Sequence, residues 1–279
     1  MTRSLASSFV LGLFLFGASA LPSAWAQAPS GSATAPSTAS IPTPPPAAAS
    51  APTESADALL QRVDKQANAF VDATFQFKLR IKDPGGQVRE SEFTTQQKGA
   101  KRLVRFLSPA NVKGMGVLVE NPDTMYVLLP EFNNRIRRVG THQAGQAFMG
   151  SDVSNEDMSL TELFPTYAPT WGGQDGDHVV LNLQSRPGKA VEFPKLKVWI
   201  EPKGGLITKI EYMDAAGKKL RTQQRLEYKA DSPTHQSPGR MVFVDHRKNN
   251  HETELVLIKS QLNTNLSDDN FSQRALQRL

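Results

Sequence analysis

Along the stretch ATFQFKLRIK, apolar and polar side chains alternate, with Phe75, Phe77, Leu79 and Ile81 on one side. Gln76, Lys78, Arg80 and Lys82 fall on the other. A period of two predicts a strand with one buried and one wet face. Asp83-Pro84-Gly85-Gly86 is turn chemistry, and QVRESEFTTQQK returns as a more polar strand, followed by KRLVRFL. The next pair, MGVLVE and TMYVLLP, is apolar on both faces and is divided by Asn121-Pro122-Asp123. Two-sided apolarity predicts central strands with something covering each face. RIRRVG is strand-like. Beyond a loop come HVVLNLQSR, LKVWIE, LITKIEYMD, KKLRTQQRLEY, RMVFVDHRK and TELVLIKSQLN, punctuated by Gly204-Gly205, Ala216-Gly217 and Asn249-Asn250.

One upstream segment has the helical period instead. SADALLQRVDKQANAFVD places Leu59, Val63, Ala67, Phe70 and Val71 on one stripe, with Ser55 or Asp57 as the cap. A second, short helical stretch is predicted near Leu160–Phe164. About a dozen strands joined by short turns, behind a single clear helix, describe a mainly β chain. It is either one curved antiparallel sheet or an incomplete barrel. A closed barrel of that many strands would need filling, which the helix and loop inserts can supply.

The N-terminus adds a different kind of information. Arg3, the apolar run Phe9–Leu21 and Ala24-Trp25-Ala26 read as a secretory signal peptide over residues 1–26, cleaved after Ala26. The run is too short to span a bilayer. Residues 27–54, rich in Pro, Ala, Ser and Thr, read as a disordered or polyproline-like linker, which leaves 55–279 as one β domain. The sequence contains no cysteine, so it offers no disulfide, no thiolate metal site and no acceptor for an N-terminal lipid. Export without a tether predicts a free periplasmic protein. The net charge of +5, or +4 once Arg3 is removed, is mild and does not specify nucleic acid.

Catalytic patterns are weak. The histidines His142, His178, His235, His246 and His251 match no metal-ligand spacing, even with Asp245 and Glu252 beside two of them. Ser151-Asp152 with His142 evokes a hydrolase, but the surrounding residues are not a G-x-S-x-G elbow. Glu156-Asp157 is explained as well by helix capping as by acid–base chemistry. The reading is a non-enzyme with no cofactor and no metal.

Two surface candidates remain. Arg135, Arg137 and Arg138 are either a charged edge strand that discourages pairing or a contact for an anionic headgroup or acidic partner. Trp199 falls on the strand face of Lys197 and Glu201, opposite Leu196, Val198 and Ile200. It is read as a residue half-buried against a neighbouring strand or as part of a partner surface.

Three stretches, FLSPANVKGMGVLVENPDTMYVLLPEFNNRIRRV, FMGSDVSNEDM and WIEPKGGLITKIEYMDAAGKKL, resemble the outer-membrane lipoprotein-sorting protein family. That family is related to the LolA and LolB lipoprotein carriers, and the resemblance runs from about Ser55 to the C-terminus. It implies an unclosed, LolA-like β-barrel capped by helices, whose concave apolar face holds acyl chains. It implies as partners the acyl chains of lipoproteins or other lipids, an inner-membrane transporter of ABC or resistance-nodulation-division type, and an outer-membrane acceptor. A monomer is expected. The alternative is a non-carrying adaptor that docks on such an exporter.

Physical chemistry supports a carrier. A methylene withdrawn from water is worth about 0.8 kcal/mol, so a chain of about 14 gains on the order of 11 kcal/mol. The candidate cavity residues are Phe75, Phe77, Leu79, Leu196, Val198, Ile200, Ile210 and Tyr212, all on the apolar phase of alternating strands. Core and cavity lining demand the same residue types, so the sequence does not separate them. In THQAGQAFMGSDVSNEDM, the residues Phe148, Met149, Gly150, Ser151 and Asp152 are read as a lid or rim, with Gly145 and Gly150 giving backbone freedom. The competing reading is an Ω-loop anchored on the core by Phe148.

Overall fold

The predicted helical stripe forms α1, Ala56–Ala67, capped by Ser55, whose side chain accepts from the Ala58 amide at 3.1 Å. Leu59, Leu60 and Val63 are buried. Asn68 ends the helix, so Phe70 and Val71 fall outside it and Val71 is 69 % exposed. The structure, a computed structural model, describes residues 54–130, 135–140 and 147–278. The expected signal peptide, the linker up to residue 53, His142 and Gly145 lie outside the described residues.

Among the described residues, thirteen strands follow. The first six are β1 (Asp72–Lys82), β2 (Val88–Lys98), β3 (Lys101–Ser108), β4 (Gly116–Asn121), β5 (Thr124–Leu129) and β6 (Arg135–Val139). A 3-10 turn at Phe148–Gly150 and the short α2, Asn155–Ser159, come next. The other seven are β7 (Tyr167–Asp175), β8 (His178–Ser185), β9 (Lys195–Glu201), β10 (Leu206–Met213), β11 (Lys219–Ser232), β12 (His235–Asp245) and β13 (His251–Leu262). A 3-10 turn at Asp268–Phe271 and α3, Gln273–Gln277, end the described chain.

Every pairing is antiparallel, and the order across the sheet is β6-β5-β4-β3-β2-β1-β13-β12-β11-β10-β9-β8-β7. The N-terminal strand therefore joins the C-terminal one at the centre, through Leu79↔Leu255 and its neighbours. The edges β6 and β7 do not pair with each other, which makes this an unclosed barrel of mainly β class.

Three elements differ from expectation for identifiable reasons. β7, YAPTWGGQD, carries Pro169, Gly172 and Gly173, which mask a strand pattern but are tolerated at a sheet edge. The short helix starts at Asn155 rather than near Leu160, because Ser154 and Asp157 form a reciprocal capping box. The two-sided apolar strands β4 and β5 are not central: they lie next to the β6 edge, yet both faces are covered. Val117, Val119 and Met125 pack inward with Phe106 and Phe148. Leu118 and Leu128 pack outward under Phe271 and Leu276 of the C-terminal segment.

That outer cover depends on a glycine. A Cβ on Gly116 would come within 2.6 Å of Leu276 Cδ1, and Leu276 is fully buried. Gly116→Val is expected to pry α3 from the sheet and to cost about 1–3 kcal/mol in urea unfolding. Full stability with an unchanged proteolysis pattern at the C-terminus would contradict that packing.

Outside the barrel, Trp199 is buried: its Nε1 donates to Asp175 Oδ2 at 2.8 Å and Lys209 Nζ stands 4.0 Å from its ring centroid. Arg135, Arg137 and Arg138 are exposed on the β6 edge strand.

Candidate functional site

Strand periodicity turns Phe75, Phe77 and Leu79 of β1 inward, and Phe93, Thr95 and Gln97 of β2 beside them. From the far side of the sheet, Leu196, Ile210 and Tyr212 point the same way. They form a second cluster with Leu59, Leu60 and Val63 of α1. The first cluster gathers Leu79, Phe93, Phe106, Phe243 and Leu255 around Phe148 and Val153. Members of both clusters line one cavity of about 300 Å³. That volume lies at the lower end of the range for small-molecule pockets.

A row of phenylalanines crosses this interior. Phe70–Phe75, Phe75–Phe77, Phe77–Phe93, Phe93–Phe106 and Phe106–Phe148 are in contact, with ring centroids 6.0, 6.1, 5.5, 5.4 and 5.6 Å apart. Phe77 is only half-buried, because one side of its ring faces the hollow. Among the sequence candidates, Phe75, Phe77, Leu196, Ile210 and Tyr212 line the cavity. Leu79, Val198 and Ile200 are buried in the two clusters and lie outside its wall.

From Ala147 onward, the segment leading to β7 crosses the inner face as a strap. Phe148 is buried, the Ser151 hydroxyl donates to the Phe148 carbonyl at 2.5 Å, and the Asp152 amide donates to Thr253 Oγ1 at 2.8 Å. The Asp152 carboxylate accepts from Thr253 Oγ1 at 2.9 Å and pairs with His251 Nδ1 at 2.7 Å. Gly150, with φ +71°, permits the turn. Nothing is described of the Met149 side chain.

Farther along, Asp157 both caps α2 and receives Arg221 of β11 in a bidentate pair, at 2.6 and 2.7 Å. Arg221 is 1 % exposed, also donates to the Asp152 carbonyl at 2.8 Å, and lies over the rings of Tyr212 and Phe193. The strap is tied to α1 too, since the buried Asp64 carboxylate accepts from the Leu163 and Phe164 amides at 2.9 and 2.7 Å. Desolvation raises the Asp64 pKa despite those two bonds.

Sequence reasoning read Asp157 as a helix-capping acid, which it is, but missed Arg221, Gln223 and Arg225 as inward polar residues. Arg221, Gln223 and Arg225 alternate along β11 in KKLRTQQRLEY, which reads as a wet strand until its register places Arg221 opposite Tyr212. The Ser154-x-x-Asp157 spacing was the one local signal for the capping box.

Glu156 also faces the cavity, and its carboxylate accepts from the Glu192 amide at 2.7 Å. Burial pushes its pKa up to about 7, and the Asp157 charge works in the same direction. The folded state therefore holds a proton that the unfolded chain releases near its ordinary pKa of 4.5. Stability is expected to fall as pH rises from about 4.5 to about 7 through this group and then to level off. Glu156→Gln should flatten that slope in denaturant titrations; an unchanged slope would contradict the assignment.

Among the described residues, no three His, Cys, Asp or Glu side chains come together as a metal site. No helix among them is long and apolar enough to cross a membrane.

Solved structures share this architecture. The outer membrane lipoprotein-sorting protein domain from Vibrio parahaemolyticus superposes with a TM-score of 0.71 at 21% identity, covering 80% of this chain and 98% of that one. A DUF1329 family protein from Desulfovibrio piger gives 0.72 at 23% identity, over 80% and 100%. A LolA superfamily protein from Nitrosomonas europaea gives 0.69 at 18% identity, over 80% and 100%. The fold that this chain shares with these structures is thus an unclosed antiparallel β-barrel. A family model with the description "-like: Uncharacterized protein" matches residues 98–278, more than half of the chain, and the chain belongs to that family. No curated protein matches the sequence.

Proposed function

We propose that this protein is a periplasmic carrier that shelters acyl chains of lipoproteins or other lipids in its cavity and passes them towards the outer membrane. The supporting observation is the hollow of about 300 Å³ left between two apolar clusters and bordered by Phe75, Phe77 and Phe93. A solvent-exposed acyl chain costs so much in water that an apolar shelter is what transit requires, with no bond made or broken. On this reading residues 1–26 direct export, 27–54 space the domain from the export signal, and a membrane transporter and an outer-membrane acceptor stand at the two ends of the route. Arg135, Arg137 and Arg138 are assigned to contact with an anionic headgroup or with one of those partners.

Mass spectrometry of organic extracts from the purified protein tests the proposal. Co-purifying lipid is the expected result. Protein that is consistently empty and takes up no added lipid would favour an adaptor, for which the open β7 edge with its 37 % exposed Trp171 is the candidate contact.

We assign Phe148, Met149, Gly150, Ser151 and Asp152 to a rim held by buried bonds. Phe148→Ala should then destabilise the protein by about 3–5 kcal/mol. Its effect on fatty-acid affinity in a probe-displacement titration should stay within threefold. A large loss of affinity with little loss of stability would instead identify a moving lid.

A further inference from the structure

One guanidinium in the cavity wall has no counter-charge among the described residues. Arg102 of β3 donates through Nη1 to the Met158 carbonyl at 2.7 Å and through Nη2 to Gln97 Oε1 at 2.9 Å. Its Nε is buried and meets no acceptor among the described residues. Desolvation draws its pKa down to about 10, which still leaves it charged at neutral pH.

The acids around the cavity are engaged elsewhere. Asp157 is clasped by Arg221, Asp64 holds two backbone amides of the strap, and Glu156 holds the Glu192 amide. Glu162 is exposed. The other wall arginine with a buried, unbonded Nε, Arg225, differs in lying within the field of Asp64 and within reach of the Tyr228 hydroxyl. A partly buried positive charge whose described partners are all neutral is unfavourable, and a guanidinium fork fits a carboxylate or phosphate better than any other group.

Sheet register places Arg102 next to the apolar row. It lies opposite Gln97, two residues along β2 from Thr95, which is itself opposite Phe75. From Gln97 the inward face of β2 continues past Thr95 to Phe93, roughly 13 Å at the usual rise of a strand.

We propose that Arg102 is the head-group anchor of the cavity: the cargo is an amphiphile whose oxyanion pairs with this guanidinium while its hydrocarbon chain lies along Phe75, Phe77 and Phe93. This rests on the reading of the cavity as a lipid site and narrows it to anionic lipids. Neutral and cationic amphiphiles of equal chain length leave the arginine uncompensated.

The test is probe displacement from the full domain by palmitate, hexadecanol, hexadecyltrimethylammonium and hexadecyl phosphate. Palmitate or hexadecyl phosphate is expected to bind about tenfold or more tightly than hexadecanol, the range of one charge-assisted bidentate contact. Whichever oxyanion binds tighter identifies the head, carboxylate or phosphate. Arg102→Gln should bring the acid-to-alcohol ratio near one, Arg102→Lys should retain part of it, and Arg225→Gln should leave it largely intact. Equal binding of palmitate, hexadecyl phosphate and hexadecanol by the wild type would overturn the anchor while leaving the apolar site standing. Failure of all four to bind would overturn the carrier reading itself. An equal loss of the ratio in Arg225→Gln would overturn the assignment to Arg102. Should Arg102→Gln not fold, the wild-type ratios and Arg102→Lys decide.

Discussion

Arg221→Met is expected to destabilise the protein by about 3–5 kcal/mol, the usual cost of orphaning one member of a buried ion pair. In a domain of this size that lowers the melting temperature by roughly 10 °C. The size of the effect follows from the number of contacts that depend on this one side chain. Its two Nη atoms hold both oxygens of Asp157, and one of them also holds the Asp152 carbonyl. Its plane covers Tyr212 at 3.9 Å and Phe193 at 4.6 Å. Burial, the largest single influence, would make the guanidinium easier to deprotonate, but the charge and hydrogen bonds of Asp157 together with Tyr212 and Glu192 outweigh it and hold its pKa above the ordinary value. Without the arginine, the Asp157 carboxyl is left beside the cavity with the Ser154 amide and hydroxyl as its remaining partners. The double variant Arg221→Met/Asp157→Leu should recover a good part of the loss, because both desolvated charges are then gone. Additive losses in the double variant would show that the pair itself is not what fixes the strap.

The second large effect concerns binding. Ile210→Trp should abolish retention of co-purifying lipid, with at least a tenfold loss of fatty-acid affinity, while costing about 1–3 kcal/mol of stability through overpacking. Ile210 is 1 % exposed, sits between Val198 and Gln223 across its neighbouring strands, and lines the hollow. A larger ring at that position has free space only on the side the acyl chain would occupy. Trp171→Ala on β7 is the control, since it touches the outer edge and should leave lipid retention unchanged. A folded Ile210→Trp protein that still carries lipid would place the ligand somewhere other than this cavity.

The alternation in ATFQFKLRIK and LKVWIE made the strands legible, because each has one face in water and one in an apolar interior. β4 and β5, apolar on both faces, were readable as short apolar runs bounded by turn residues instead. β7 shows neither pattern, since an edge position removes the penalty on Pro169 and the paired glycines. The C-terminal cover was illegible for another reason: Phe271, Ala275 and Leu276 are too few to show a period.

For the cavity, sequence marked the apolar wall but did not divide it. Val198 and Ile200 occupy the same strand phase as Leu196, yet only Leu196 reaches the hollow, a distinction set by where α1 and the strap lie over the sheet. The inward polar residues Arg102, Gln97, Arg221 and Arg225 were hidden altogether. On a wet-looking strand, nothing local tells a charged side chain that enters a cavity from one that meets solvent.

A complete ring of strands has its girth set by strand number and stagger, and enlarging it means breaking backbone bonds. In this molecule β6 and β7 share none. The gap between them can open by a change in curl without tearing the ladder, and on the proposed carrier reading that is how guests of unequal thickness would be taken in.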